Sequence, residues 1–304
     1  MMKRIPIISS QINPGPKHLR EALSKGIVVA PGVFNGISAL IAERYRFDAL
    51  YLSGSGVAGA MGLPDLSMTT MSEVVEETRR ITLVTKTPLI VDIDTGFGEV
   101  LNVERTVIEL ERAGASGVHI EDQVLPKKCG HLEGKSLVQE YEMLEKIRAA
   151  VKARRNKDFM IIARTDARAV EGLDGAIKRA RSYLEAGADG IFPEALESEE
   201  EFREFASKVR GILLANMTEF GKSPLLSAKE LEKMGYRIVI FPLTAFRASL
   251  NAMKDVYSTL SSSGSQVNIL GKIMSRREFY DIIGYDAYEL EDKLIAQKHR
   301  KIKK

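Results

Sequence analysis

Eight short runs of branched and apolar residues, each closed by polar residues, limit what this chain can fold into. They are IVVAPG from Ile27, ALYLSG from Ala49, PLIVDID from Pro88, GVHIED from Gly117, MIIARTD from Met160, GIFPEA from Gly190, ILLANM from Ile212 and RIVIFPL from Arg237. Each is almost continuously apolar, the pattern of a parallel strand covered on both faces rather than on one. Helical patterns lie between them. MSEVVEETRRITLV puts Val74, Val75, Thr78 and Ile81 on one face, and TAFRASLNAMKDVYSTL does the same with Phe246, Leu250, Met253, Tyr257 and Leu260. Strands and helices alternating eight times over this length predict a (β/α)8 barrel of the α/β class. The competing arrangement is a doubly wound open sheet. It wants a glycine-rich dinucleotide fingerprint after the first strand, and APGVFNG is not one.

One unit of this pattern repeats. ERAGASGVHIED from Glu111 resembles LEAGADGIFPEA from Leu184: a helix end, Ala-Gly-Ala, one residue, Gly, a strand, then Glu. The repeat places Glu121 and Glu194 at equivalent strand ends. No internal linker appears, so residues 1–304 read as one barrel domain, with 262–304 as a helical extension. SSSGSQ reads as a flexible link. The segment from Ser275 to Arg300 reads as two helices broken at Gly284, placed to pack on a neighbouring subunit.

Composition excludes several classes. The 304 residues are 44% hydrophobic, enough for a large core, and a net charge of +3 gives no whole-chain field for nucleic acid. A single cysteine rules out an intramolecular disulfide framework and suits a reducing compartment, the cytoplasm. Neither a secretory leader nor a run of 18 apolar residues is present, so no membrane span is expected. The basic end KHRKIKK reads as a solvated tail.

Strand ends are where such barrels carry chemistry. The second run ends on Ser53, Gly54 and Ser55, the third on Asp92 and Asp94, and the fourth on Glu121 and Asp122. The fifth ends on Arg164 and Asp166, the sixth on Glu194, the seventh on Asn216 and Thr218, and Arg247 follows the eighth. So many charges at one mouth must pair, bind a metal or meet a polar ligand. Asp92 and Asp94, two apart on a strand, are expected to face one side. With Glu121 nearby they make a hard oxygen site for Mg²⁺ or Mn²⁺, or else ion pairs with Arg164 or a lysine. His18, His119, His131 and His299 lack zinc-ligand spacing, and His119 reads as a core residue. LSGSGVAGAMGLPD reads as a glycine loop whose N–H groups could approach an anion, with Asp65 at its end.

The longest intervals precede the third and fifth strands. One carries Asp65; the other carries LPKKCGH from Leu125 to His131, with the single cysteine, Cys129, between basic neighbours. Long loops at this face are candidate lids. Basic neighbours are expected to lower the thiol pKa and make it a proton carrier. A thiol beside a metal and anion donors suggests carboxylate substrates and an enolate-type intermediate.

PKKCGH, VDIDTGFG, HIEDQ, ARTDA, FPEA and ANMTEFG occur in order and on the expected strands. Together they resemble the isocitrate lyase and phosphoenolpyruvate mutase superfamily, from about residue 20 to about 290. The resemblance implies a Mg²⁺-dependent barrel in a homotetramer, with C-terminal helices swapped between subunits. It implies retro-aldol cleavage of the tricarboxylate 2-methylisocitrate to pyruvate and succinate. Asp92 would hold the metal most directly, supported by Asp94, Asp65 and Glu121, partly through water. Ser53, Gly54 and Ser55 would hold the pyruvate end; Gly130, Arg164, Asn216, Thr218, Arg247 and Arg276 would line the pocket, with Glu194. Cys129 would protonate the succinate carbanion equivalent, tuned by Lys127 and His131. Lys128 stands where the methylisocitrate branch usually has Arg, and HLEGKSLV also leans toward the isocitrate branch. The short chain, FPEA and ANMTEFG lean back to methylisocitrate, because Phe192 leaves room for a methyl group.

Overall fold

The eight apolar runs form eight parallel strands that close on themselves. The computed structural model describes residues 15–302, with side chains through residue 296. His299 and the whole basic tail therefore lie outside the described side chains. In chain order the elements are α1 (Gly15–Lys25), β1 (Val28–Val33), α2 (Gly36–Glu43), β2 (Leu50–Leu52), α3 (Gly54–Ala60), α4 (Met71–Val84), β3 (Leu89–Asp92), α5 (Val100–Arg112), β4 (Gly117–Glu121), α6 (Glu140–Ala153), β5 (Met160–Thr165), α7 (Arg168–Glu185), β6 (Gly190–Pro193), α8 (Glu199–Lys208), β7 (Ile212–Asn216), α9 (Ala228–Met234), β8 (Ile238–Phe241) and α10 (Thr244–Ser263). A 3₁₀ turn over Val267–Lys272 leads to α11 (Arg276–Ile283) and α12 (Tyr285–Ile302). Each strand pairs with its neighbour in sequence, and β1 closes on β8 with Val28 opposite Ile238 and Pro31 opposite Phe241. This is the (β/α)8 barrel that the alternation predicts.

Two apolar layers follow from the period of two along each strand. Leu50, Leu52, Val91, Val118, Ile120, Ile161, Ala163 and Ile191 face the helices and pack on residues such as Val107, Ile147 and Tyr183. Tyr51, Ile90, Met160, Ile162, Phe192, Leu214 and Ile240 face the barrel interior, and Leu19 and Leu23 of α1 join this inner cluster. Continuing the inward alternation one step takes Ile90 to Asp92, His119 to Glu121 and Ile162 to Arg164. The interior turns from apolar to charged toward the C-terminal ends, which positions the site.

Two local readings change. SGSGVAGA is not a turn: its residues 54–60 form helix α3, so its N–H groups belong to a helical first turn. Ser261–Ser263 continue α10 instead of linking, and the Ser262 and Ser263 hydroxyls donate to the Ser258 and Thr259 carbonyls one turn back. The helix stops at Gly264 in the left-handed conformation. The expected break at Gly284 is present, with φ +70° between α11 and α12. The apolar face of α10 is formed but stays largely uncovered within the chain: Leu250, Met253 and Tyr257 are 45%, 42% and 66% exposed. Phe246 alone packs inward, edge-on to Phe34 with ring centres 5.0 Å apart. No helix among the described residues is long and apolar enough to cross a membrane.

Candidate active site

At the mouth, Asp92, Asp94, Glu121 and Asp65 gather around one ammonium group. Lys127 Nζ lies 2.9 Å from Asp94 Oδ1 and 2.5 Å from Asp65 Oδ1, with its side chain almost fully buried. Asp92 ends β3 and accepts hydrogen bonds from the N–H of Gly54 at 3.1 Å and of Asp94 at 3.0 Å. Asp94 lies beyond the strand with φ +48°, so a turn and not strand alternation brings it to the same side. Both carboxylates approach Gly54 at the start of α3. Burial works against ionised Asp92, but His119, Lys127 and Arg164 outweigh it and hold its carboxyl below the usual range. Burial, with Asp92 alongside, pushes Asp94 up to about 6. Burial also pushes Glu121 well above the carboxylate range. Burial disfavours the Lys127 ammonium, yet Asp94, Glu121, Asp92 and Asp65 more than offset that and raise its pKa.

These residues suit a hard cation. Neither Glu121 oxygen accepts a hydrogen bond although both are buried, and Asp94 Oδ1 likewise has no hydrogen bond beyond its ion pair. Buried carboxylate oxygens left short of donors are what a divalent ion satisfies. No three acidic, His or Cys side chains among the described residues converge into a ready-made ligand group. The carboxylates would thus need water or a displaced Lys127 to share an ion.

Arg164, on β5, links the two halves of the sequence repeat. Its Nε lies 2.9 Å from Asp166 Oδ2 and 3.2 Å from Glu121 Oε2, and its Nη1 lies 3.3 Å from Glu194 Oε2. The guanidinium sits 5.2 Å from the centre of the Phe192 ring. Glu194 also meets His131 Nε2 at 2.9 Å and accepts from Asn216 Nδ2 at 3.3 Å. Burial alone would raise Glu194, but Arg164 and His131 outweigh it and bring it down to about 2.

The loop after β4 is folded down onto this cluster. The Gln123 side-chain amide grips Lys128 at both backbone groups, donating to its carbonyl and accepting from its N–H, each at 2.9 Å. Gly130 presses against Glu194 and Arg164 so closely that a Cβ there would fall 2.2 Å from Glu194 Cγ. His131 Nδ1 accepts from the Lys222 N–H at 2.9 Å. Lys128 Nζ donates to the Gly134 carbonyl at 2.9 Å, so this lysine makes no forked contact.

The thiol differs from expectation. Cys129 is exposed at the rim, and its pKa is raised, not lowered. Desolvation by the protein beneath it and the Glu194 charge outweigh the His131 N–H and Arg164. The basic neighbours fail to lower it because they are engaged elsewhere: Lys127 with Asp65 and Asp94, His131 with Glu194, and Lys128 with a carbonyl.

The remaining expected residues divide. Ser53, Gly54 and Ser55 stand at the start of α3, with Ser53 and Gly54 buried beside Asp92. Thr218 is buried, and Arg247 Nη1 lies 2.9 Å from Glu219 Oε2 and 3.5 Å from Thr218 Oγ1. Arg276 is not brought in. It is exposed at the start of α11, a helix that meets α2 outside the barrel through the Arg44–Asp281 ion pair at 2.9 Å. Two groups were not anticipated. Tyr51 OH lies 2.7 Å from His119 Nε2, which is itself 3.5 Å from Asp92 Oδ1. Burial pushes His119 down to about 4, against the pull of Asp92. Lys135 is buried against Asp166. Inward alternation on ALYLSG would have flagged Tyr51; nothing local marks Lys135.

Known proteins resemble this chain in sequence and fold. The phosphoenolpyruvate phosphomutase family model matches residues 19–261. A 2-methylisocitrate lyase of Aeropyrum pernix is 57% identical over 92% of this chain and 91% of its own. The crystal structure of 2,3-dimethylmalate lyase, a PEP mutase/isocitrate lyase superfamily member, superposes with a TM-score of 0.87 at 38% identity, covering 92% of this chain and 95% of that one. Phosphonopyruvate hydrolase in complex with oxalate and Mg²⁺ superposes with a TM-score of 0.83 at 31% identity, covering 91% and 97%.

Proposed function

We propose a reaction for this chain, a carbon–carbon lyase that belongs to the phosphoenolpyruvate mutase/isocitrate lyase superfamily: cleavage of 2-methylisocitrate to pyruvate and succinate. The observation that carries it is the Cys129–His131 segment lying over the Arg164–Glu194 pair, with a thiol whose pKa is raised. A raised pKa keeps Cys129 protonated near neutral pH, the form that a proton donor needs. The 2-hydroxyl gives its proton to a base, for which ionised Glu194 is the candidate, and its oxygen becomes the ketone of pyruvate; the carbon–carbon bond breaks, its electrons go to the succinate carbon, and Cys129 supplies the proton there. The tricarboxylate's negative charge would meet Arg164 and Arg247, with Asn216, Thr218 and the Gly130 backbone as polar contacts. The pyruvate end would lie on Ser53, Gly54 and Ser55, at the N-terminal turn of α3, where N–H groups favour an anion.

Asp92 would hold Mg²⁺ most directly, with Asp94, Asp65 and Glu121 around it. Mg²⁺ bound there would polarise the α-oxygen and ease loss of its proton. Lys127 neutralises Asp94 and Asp65, and the His131 ring orients Glu194; neither side chain is the partner of the thiol, which meets the His131 backbone N–H instead. Mg²⁺ finds support in the donor-poor oxygens of Glu121 and in the Mg²⁺ named for the phosphonopyruvate hydrolase complex. The assembly would be a homotetramer, supported by the uncovered apolar face of α10. A role for Arg276 rests on that assembly, with swapped C-terminal helices, since its own chain leaves it outside. The single cysteine fits a cytoplasmic enzyme. Isocitrate is the second substrate to consider, because Lys128 and HLEGKSLV lean that way. Cys129→Ser tests the assignment: cleavage should fall at least about 100-fold with the fold intact, within the loss typical of removing an acid–base group. Near-normal turnover in that variant would remove the proton donor.

A further inference from the structure

We infer that Lys135 is a positioning residue, a latch that holds the Cys129–His131 segment down on the strand-end charges. It is five residues beyond Gly130, and its side chain is 1% exposed. Its ammonium donates to the Gly130 carbonyl and lies 3.1 Å from Asp166 Oδ1. Asp166 is fixed in turn: its carboxylate takes both Nε and Nη2 of Arg164, at 2.9 and 3.2 Å, and its N–H donates to Asp122 at 2.9 Å. One cation thus ties a loop carbonyl, next to the thiol-bearing residue, to a rigid carboxylate on the barrel.

Other ties hold this loop from its two flanks. Gln123 grips Lys128 on one side, and Lys222 and Glu194 hold His131 on the other. Lys135 is the tie to the Gly130 carbonyl between them. A buried ammonium needs partners, and with the loop down Gly130 and Asp166 supply them together. Losing it leaves Asp166 with Arg164 still in place, so the barrel is expected to survive the change while the loop does not stay down. Nothing in KKCGH marks this residue; the fold brings it there.

The latch rests on the reading that Cys129 acts at this mouth, but its test does not. Backbone hydrogen exchange on the full chain, followed by mass spectrometry, should show at least tenfold faster exchange over 127–132 in Lys135→Met, with strand peptides of β4 and β5 unchanged. Lys135→Gln keeps an N–H for Gly130 and should recover part of the protection. In turnover of 2-methylisocitrate, the Met variant should lose at least tenfold in kcat with KM within about threefold, and Gln should recover part of kcat. Exchange over 127–132 within twofold of wild type in either variant would overturn the latch. So would a change borne by KM alone. If Lys135→Met does not fold, Lys135→Gln alone decides, by the same exchange criterion. A wild-type chain without lyase turnover would defeat the proposed function and leave the exchange test standing.

Discussion

Glu194 shows how strongly this mouth depends on paired charge. Its carboxyl is buried, yet Arg164 and His131 hold it down to about 2. A folded-state pKa below the ordinary 4.5 means that the unfolded chain binds the proton more readily. Its contribution to stability is complete above pH 4.5 and is lost as pH falls toward 2. Glu194→Gln should flatten that acid slope in urea unfolding followed against pH. At pH 7 it should cost about 3–5 kcal/mol, as when one partner of a buried pair is removed. An unchanged acid slope would show that the pair does not hold Glu194 ionised. Cys129 illustrates what neighbours in sequence do not reveal. Basic residues flank it, but each spends its charge on a partner of its own, so burial decides the thiol's direction.

At the scale of elements, the strands are legible because parallel strands covered on both faces leave nearly unbroken apolar runs. The repeat is legible for the same reason, and it carries the site: Glu121 ends β4 and Glu194 follows β6, on either side of the Arg164 strand, and both meet its guanidinium. Glycine-rich α3 and the serine end of α10 are not legible, since small residues read as turns while side-chain and tertiary contacts keep them helical. The loop's ties are hidden too: Gln123 and Lys135 each reach a backbone group five residues away, a spacing that no regular element marks, and Lys222 meets His131 from 91 residues away. Gly130→Ala probes that loop without removing a charge. The added Cβ would meet Glu194 Cγ and lie 2.6 Å from Arg164 Nη2, groups that are fixed by their own ion pairs. The loop should lift, kcat should fall at least about tenfold, and global stability should stay within about 1 kcal/mol, as for a locally opening segment. Wild-type turnover would mean that the loop need not lie this close.

For the whole molecule, the barrel and its charged mouth follow from a single chain, whereas α10 to α12 leave many large apolar side chains exposed. Leu250, Met253 and Tyr257 share a helical face left uncovered in this chain. Such a face asks for another surface. Leu250→Asp is expected to shift the proposed tetramer to smaller species in analytical ultracentrifugation; an unchanged sedimentation coefficient would place the interface elsewhere. Arg276 belongs to this scale as well, because its side chain lies outside the mouth of its own chain and only an assembly could bring it to one. The chemistry, by contrast, is testable on the protein as purified. The most direct measurement supplies 2-methylisocitrate or isocitrate, with and without Mg²⁺, and quantifies pyruvate and glyoxylate separately. The predicted result is Mg²⁺-dependent pyruvate in large excess. A methyl group is worth roughly 10–200-fold in discrimination, so minor glyoxylate is compatible with it. Glyoxylate in equal or greater amount would contradict the methyl pocket at Phe192, and neither product would contradict the lyase reaction proposed for this site.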